Sequence, residues 1–355
     1  MNKKILFIIN NLGIGGAERL VVDDVNEMMK QGIDISIITL RPEPKESLFS
    51  QLKIPADRFR CVYFKNLLDI PGWIRVIKAI KEVNPDLVIT QLWFENTVGR
   101  IASIIVGAKI ITFEQNVYDS VKTRKMFVVD YLLQSLSARV IAVSEAVKRS
   151  LIKHGIKEKR INIVPNSVNL DAFKILPDKN GIRQELGIPG DSFIFVFVGR
   201  LIHQKAVDIL IKAFKELDEN SYLLVVGQGQ EKGRLEKLAN DRVIFAGIRK
   251  DIPQILMSSD CFVLPSRYEG WPLALTEALA AGIPIIVSDF EAAREVIKDK
   301  ENGLVVPRED HVSLALTMRE MRENKELRKR LGEEAKRSAE RFSIENHVRA
   351  ILRYT

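Results

Sequence analysis

The feature that most constrains this 355-residue chain is an alternation that runs through it twice: short apolar runs rich in β-branched residues, interleaved with stretches whose apolar residues fall at helical spacing. In the first half the runs lie at 4–10, 33–39, 61–64, 86–90, 108–113, 139–143 and 161–164, with patterns such as Leu20, Val21, Asp24, Val25, Met28 and Met29 between them. In the second half they are Phe193–Val198, Leu223–Val226, Val243–Phe245, Cys261–Leu264 and Ile285–Val287, with helical patterns near 205–218, 230–240, 273–281 and 309–321. A strand that is apolar without alternation is covered on both faces, so each half predicts a doubly wound parallel α/β sheet. The stretch 165–192 holds Pro165, Pro177, Pro189, Gly181, Gly187 and Gly190 and no strong apolar run, which predicts the linker between two domains. Residues 324–355 predict two further helices.

Two domains fit the length, and 46% hydrophobic with 28% charged residues excludes collagen, coiled coil and general disorder. The two cysteines, Cys61 and Cys261, sit in apolar runs in different halves and read as reduced structural thiols of a cytoplasmic protein. The basic N-terminus is followed by only five apolar residues, Ile5 to Ile9, and reads as a first buried strand; no run approaches the roughly 20 apolar residues of a membrane helix. The net charge of +8 lies wholly in residues 1–174, which carry 26 Lys+Arg against 18 Asp+Glu, so the first half is expected to meet an anionic partner.

Ligands of open α/β sheets bind at the carboxyl ends of the strands, so the loops there are the candidates. After the first strand comes Gly13-Ile14-Gly15-Gly16-Ala17-Glu18, either an anion site at a helix N-terminus or a plain turn; Glu18 breaks the G-x-G-x-x-G dinucleotide fingerprint. The first strand of the second half ends in Gly199-Arg200-Leu201-Ile202-His203-Gln204-Lys205, two cations five residues apart that suit a diphosphate. Gly227-Gln228-Gly229 brings backbone to a phosphate or simply turns. In the nearly apolar segment from Leu273 to Gly282, Glu277 is a carboxylate that is costly to bury unless something binds it. Glu269 lies eight residues earlier, about 12 Å along a helix, against the roughly 5 Å between the two carboxyls of a retaining hydrolase. The two acids therefore point to the two ends of one ligand.

Gly270, Pro272, Glu277-Ala278, Gly282 and Pro284 around the Glu269-x7-Glu277 spacing resemble the family 4 retaining glycosyltransferases. So do Gly13–Glu18, Gly199-Arg200-Leu201 with Lys205, Pro165-Asn166-Ser167-Val168-Asn169 with Phe173, and Asn302-Gly303-Leu304; the resemblance covers nearly the whole chain. It implies the GT-B fold: two doubly wound, Rossmann-like parallel-sheet domains facing a central cleft, 1–174 for the acceptor and 175–343 for the nucleotide-sugar donor, with the last helix, 344–355, packing back on the first. It further implies that Arg200 and Lys205 hold the donor diphosphate, that Glu277 accepts the ribose hydroxyls and that Glu269 contacts the transferred sugar. Gly15, Gly16, Gly199 and the backbone around Gly270, Trp271 and Leu273 would face phosphates and sugar, and Ile248 and Arg249 the base. Glu114, Gln115 and Asn116 would touch the sugar or acceptor, Gln115 standing where many relatives carry a histidine.

The implied activity is retaining transfer of a hexosyl or N-acetylhexosaminyl unit from a nucleotide-diphosphate sugar, expected to be a UDP-sugar, to a glycan or lipid-linked acceptor. The chain has no Asp-x-Asp, and Arg200, Lys205 and a helix N-terminus could replace a metal, so neither a metal nor another cofactor is expected. The alternatives are a sugar-nucleotide-binding subunit without turnover, motivated by Gln115, and an NAD(P)-dependent oxidoreductase, which lacks its fingerprint. Residues 64–81 place Trp73, Ile74, Ile77 and Ile80 beside Arg75, Lys78 and Lys81, and 122–127 add a cationic cluster. The pattern reads as an ordinary half-buried helix or as a surface for an anionic membrane, peripheral on its cytoplasmic face. No nucleic-acid motif is present, and no nucleic-acid partner is expected.

Overall fold

The computed structural model describes residues 3–117, 122–217 and 220–354, and the chain divides into two compact units, Met1–Ser167 with Ile344–Thr355, and Val168–Ser343. In the first unit β1 (Lys4–Ile9) leads to α1 (Gly16–Lys30), β2 (Asp34–Thr39), β3 (Phe59–Cys61), α2 (Ile70–Val83), β4 (Leu87–Gln91) and α3 (Trp93–Val106). β5 (Lys109–Glu114), α4 (Arg124–Leu133), β6 (Arg139–Ala142), α5 (Glu145–Lys153) and β7 (Ile161–Ile163) follow. All seven strands pair parallel in the order β3-β2-β1-β4-β5-β6-β7.

Both faces of this sheet are covered, as the unbroken apolar runs require. Leu6 and Ile8 of β1 join Ile38, Val88, Phe64 and the inner residues of α2 and α3 in one core, while Ile5, Phe7 and Ile9 are buried as well. Each such side chain contributes roughly 1.5–3 kcal/mol by leaving water. Side chains open some of the helices: Asp69 Oδ1 accepts from Gly72 N–H at 2.9 Å to start α2, and Ser144 Oγ from Val147 N–H at 3.1 Å to start α5. β3 covers 59–61 rather than 61–64; the run continues beside β2 only through Val62 N–H to Thr39 O and Phe64 N–H to Leu40 O. Cys61 is consequently exposed, against expectation, and Cys261 is buried.

Of the two readings of 64–81, the packing is that of the half-buried helix, whereas the cationic cluster at 122–127 departs from expectation at Lys122. Trp73 stacks edge-on against Phe64 with centroids 4.9 Å apart and donates its indole N–H to Leu67 O; Ile77 packs on the same core, and Ile80 is buried within it. That stripe is the core face of α2, and the exposed apolar residues there are Leu68, Ile70 and Ile74. Lys122 of the second stretch is no surface cation either: it is enclosed between Glu114 and Asp130.

In the second unit α6 (Lys179–Glu185) precedes β8 (Phe193–Val198), α7 (Val207–Lys215), β9 (Ser221–Val226), α8 (Lys232–Leu238), β10 (Val243–Gly247) and α9 (Ile252–Ser258). β11 (Cys261–Leu264), α10 (Leu273–Ala281), β12 (Ile285–Ser288), α11 (Ala293–Val296), β13 (Leu304–Val306), α12 (His311–Glu323) and α13 (Lys325–Ala339) complete it. The strands run parallel in the order β10-β9-β8-β11-β12-β13. β13, three residues long, is marked by the family resemblance and not by apolar patterning. Residue 218, the predicted end of α7, lies outside the described residues.

The unit boundary falls at 167 instead of 174. Val168 N–H donates to Phe342 O at 2.9 Å, and the turn Leu170–Phe173 packs on α9 and α10, so this segment belongs to the second unit. The expected linker is also partly built in. Arg183 of α6 is buried, with Nη1 donating to Ser192 O at 2.7 Å and Nη2 to Asp260 Oδ2 at 3.1 Å.

The last helix, α14 (Ile344–Leu352), packs on α1 of the first unit. The contact is ionic at its centre: His347 Nε2 stands 3.4 Å from Asp24 Oδ1 with both side chains buried, and His347 Nδ1 lies 2.7 Å from Pro165 O. Burial works against the imidazolium, but the Asp24 carboxylate and the Pro165 carbonyl outweigh it and hold the His347 pKa above its ordinary 6.5. Burial pushes the Asp24 carboxyl up as well, against the pull of His347. Both shifts mean that the folded chain holds protons more tightly than the unfolded one. The stabilisation is therefore complete below the unfolded value and fades as pH rises through the folded one. The thermal midpoint is expected to fall as pH rises above the ordinary histidine value of 6.5, and to fall less in His347→Gln; parallel curves for the two proteins would contradict this role.

Candidate active site

In each sheet the connections depart in opposite directions from one central pair of strands, β1/β4 in the first unit and β8/β11 in the second. Ligands of such sheets bind beyond the carboxyl ends of that pair. Four segments lie there: 10–16 and 91–95 in one unit, 199–206 and 265–272 in the other.

In the second unit both segments hold expected residues. After β8, Gly199 and Arg200 lead into the turn His203–Lys205, and Ala206 starts α7 from a left-handed φ of 50°. Arg200 is exposed, while Lys205 is buried and ion-paired, its Nζ 2.5 Å from Glu269 Oε1. The Glu269 carboxylate also accepts from Ser266 Oγ at 2.7 Å and Gln204 Nε2 at 3.1 Å. The two loops are stitched further by Arg267 N–H to Gln204 O, Gln204 Nε2 to Tyr268 O, and the Arg267 guanidinium to His203 O. Lys205 and Glu269, assigned to diphosphate and sugar, thus hold one another.

The glycines at 227 and 229 are explained by packing. Gly227 N–H donates to Gly247 O and Gly199 N–H to Val226 O, with Gly227 at φ 132°. A Cβ on Gly227 would overlap the Gly199 carbonyl, and one on Gly229 the Leu201 carbonyl. They let the β9 loop press against the backbone of the cationic loop.

Glu277 sits on α10, which is buried on all sides save one stripe. Leu273, Ala274, Glu277 and Ala281 are half-buried; Leu275, Thr276, Ala278, Leu279 and Ala280 are buried. Residues 273, 277 and 281 are spaced four apart, so Glu277 lies on the less buried face of the helix. Trp271 is a partial departure: its ring is buried edge-on against Phe342, centroids 5.1 Å apart, which leaves its backbone alone to face a ligand. Arg249 is another. Its guanidinium is bidentate to Asp251 at 2.7 and 2.8 Å and paired with Glu185, and these bonds raise its pKa further, so it braces the 249–251 turn. Ile248 is exposed and available to an apolar ligand face.

In the first unit the glycine loop is the N-terminus of α1, with Gly15 as its cap residue in an extended conformation. The Glu18 carboxylate lies where a Cβ of Gly15 would point, so the turn and its own acid already occupy this helix end, and Gly16 is its first helical residue. Glu114 departs from expectation. It is 2% exposed in a closed network, 3.6 Å from Arg100 Nη2 and 3.3 Å from Lys122 Nζ, while Asp130 takes Arg100 at 2.7 Å and Lys122 at 2.5 Å. Two acids balance two cations there, and no carboxylate is left for a sugar. Gln115 lies between Gln91 and Asn166, and Asn116 is half-buried beside it.

Segment 91–95 went unread in the sequence. It holds Gln91, Leu92 at φ 69° and Glu95, a buried acid in the first turn of α3. Burial pushes the Glu95 pKa up to about 7, partly opposed by bonds from its own and the Asn10 backbone and reinforced by the Glu18 charge. The available signal was three polar residues, Gln91, Glu95 and Asn96, in an otherwise apolar strand-to-helix passage.

Residues 14–172 match the family described as Glycosyltransferase Family 4, and residues 178–338 the one described as Glycosyl transferases group 1. An Escherichia coli UDP-Gal:alpha-D-GlcNAc-diphosphoundecaprenol alpha-1,3-galactosyltransferase is 28% identical over 84% of this chain and 82% of its own length. LpsD, a lipopolysaccharide core biosynthesis glycosyltransferase of Rhizobium meliloti, is 27% identical over 89% and 88%. Among solved structures, Anabaena HepE in complex with UDP and glucose superposes with a TM-score of 0.89 at 22% identity, covering 99% of both chains. WaaG, a glycosyltransferase involved in lipopolysaccharide biosynthesis, does so with 0.76 at 20% identity over 98% of both. The fold is that of GT-B.

Two stability tests follow from the packing and the buried acid. Gly227→Ala is expected to destabilise the chain by more than about 1 kcal/mol, since neither the φ nor the space admits a Cβ; an unchanged thermal midpoint would refute the packing account. A raised Glu95 pKa means stability is lost as pH rises from the ordinary 4.5 through about 7, as the buried carboxyl is forced to ionise. Glu95→Gln should therefore unfold at a higher temperature than the parent near pH 8 and at the same temperature near pH 4, while a lower midpoint at the alkaline end would overturn the assignment.

Proposed function

Since the chain belongs to glycosyltransferase family 4, we propose that it moves a hexosyl or N-acetylhexosaminyl unit from a UDP-sugar to a lipid-linked or polysaccharide acceptor of the cell surface, with retention and with protein cations serving the diphosphate. The names of the E. coli and Rhizobium relatives and the UDP and glucose of the HepE complex support the donor and the setting. The observation that carries the reading is the cluster at the ends of β8 and β11, where Lys205, Glu269, Ser266 and Gln204 are joined within 3.1 Å, with the Glu277 stripe of α10 following in the chain.

The bond from the anomeric carbon to the diphosphate oxygen breaks, leaving an oxocarbenium-like sugar and growing negative charge on the leaving group. Lys205, Arg200 and the N–H groups opening α10 stabilise that charge. The acceptor oxygen attacks from the side of the leaving group and gives its proton to the departing phosphate, which accounts for retention. Glu269 accepts from sugar hydroxyls, Glu277 from the ribose, and Ile248 lies along the base. In the unliganded chain Glu269 keeps the buried Lys205 ammonium paired, and an arriving diphosphate takes a share of that cation. On the first unit, exposed Leu68, Ile70 and Ile74 beside exposed Lys65, Lys78 and Lys81 support peripheral contact with an anionic membrane. No helix among the described residues is long and apolar enough to cross one.

Lys205→Ala and Glu277→Gln are each expected to lower transfer from a UDP-sugar by about 10²–10³-fold for the cation and less for the ribose contact. Parental turnover in both would remove the assignment. Gln115, unable to titrate, favours a second reading, a sugar-nucleotide-binding subunit. UDP binding without consumption of any UDP-sugar would select it.

A further inference from the structure

The Glu269 carboxylate is held by three side chains, and only one of them is charged. A carboxylate offers about four acceptor positions, shared between its two oxygens. Oε1 accepts from Lys205 Nζ at 2.5 Å and from Ser266 Oγ at 2.7 Å, which fills it. Oε2 accepts, among the described residues, from Gln204 Nε2 alone, at 3.1 Å, and keeps one position open. Glu269 is 7% exposed, so water does little to replace a bond that is lost.

The two neutral donors are themselves fixed from behind. Gln204 uses one amide hydrogen on Glu269 and the other on Tyr268 O at 2.9 Å, and its own carbonyl accepts from Arg267 N–H at 2.8 Å. Turned over, its amide would set an oxygen against two acceptors, so the network settles its orientation. Ser266 is fully buried, and Ser288 Oγ donates to its carbonyl at 2.5 Å, which ties the ends of β11 and β12 together. Ala206 follows the turn at a left-handed φ of 50°, a conformation that a residue other than glycine keeps only where its surroundings impose it. Gln204 and Lys205, consecutive in that turn, both reach the same carboxylate.

The arrangement separates two tasks. Lys205 is the cation that a diphosphate recruits, and a carboxylate as buried as Glu269 is stranded when its cation is drawn off. Ser266 and Gln204 carry no charge, so an arriving diphosphate pulls on them far less. Their bonds to Glu269 have an ionised acceptor and are roughly twice as strong as bonds between neutral groups.

We infer that Gln204 and Ser266 are positioning residues for the transfer: they keep the Glu269 carboxylate in place as Lys205 turns to the diphosphate, and they leave the open side of Oε2 to receive a hydroxyl of the moving sugar. The inference rests on the proposed function for the ligand and goes beyond it in naming what holds Glu269 to its task.

The test is a double-mutant cycle on the full chain. Gln204→Met and Ser266→Ala each remove one donor, and each is made in the parent and in a Glu269→Gln background. UDP, UDP-glucose, UDP-galactose and UDP-N-acetylglucosamine are titrated by calorimetry. The readout is the affinity that the best-bound UDP-sugar gains over UDP. Each variant is expected to lose about tenfold of that gain in the parent and nothing further where Glu269 is already replaced. UDP alone should bind the Gln204 and Ser266 variants within about threefold of the parent, since Lys205 and Arg200 remain. Gln204→Glu adds a readout that packing does not move: two facing carboxylates share one proton as pH falls, so the gain lost near about pH 8 should return, relative to the parent at the same pH, by about pH 5. A gain unchanged in both variants, losses that persist in the Glu269→Gln background, equal losses for UDP itself, a pH-independent Gln204→Glu, or a parent that gains nothing from any sugar overturns the inference. A parent that binds a UDP-sugar through Glu269 and transfers it to no acceptor refutes the proposed function alone.

Discussion

Every strand of both sheets runs the same way, and that constraint places the chemistry. Parallel pairing sends each strand's carboxyl end to one edge, and the reversal of connections beside β1 and β8 opens that edge at one place in each unit. In the second unit the opening holds Lys205 and Glu269, and in the first the amides of Gln91 and Gln115. None of these groups neighbours its partner in sequence. They meet because the strands that carry them are neighbours in the sheet.

The interior charges show how the chain manages polar groups away from water. Lys205 and Glu269 pair across two loops, Arg100 and Lys122 are matched by Glu114 and Asp130, and Asp24 meets His347. Pairs of this kind add little net stability over well-packed apolar residues, but removing one member strands the other. What differs is the surroundings. The Arg100 network is closed by Ser137 and Thr112, whereas the Lys205–Glu269 pair sits in strand-end loops beside the exposed Arg200.

Sequence reading went furthest where the signal was local. The apolar runs marked every strand but β13, with β3 starting two residues before its run, and the spacing of Arg200 and Lys205, with Glu277 in an apolar helix, picked out the second unit's loops. It failed where long-range pairing decides. Glu114 and Arg249 read as open charges until Arg100, Lys122, Glu185 and Asp251 are seen beside them. Trp73, Ile77 and Ile80 show the same helical period whether they face a core or a bilayer, and only Phe64 and its neighbours settle it. Gln91 is a single polar residue at a strand end; the amides it joins are those of Gln115 and, through it, Asn166, the latter 75 positions away in the chain.

Helix α14 belongs to the first unit although residues 168–343 precede it. The second unit is thus, in topology, an insertion with both of its chain ends tied back to the first. A ribosome delivers β1 to β7 with the surface of α1 around Asp24 still bare, and it stays bare through the synthesis of the whole second unit. The second unit can be excised by two cuts, while the first can be made alone only by splicing 344–352 to residue 167 or by permuting the chain. Errors in assembling the first unit should therefore concentrate on α1.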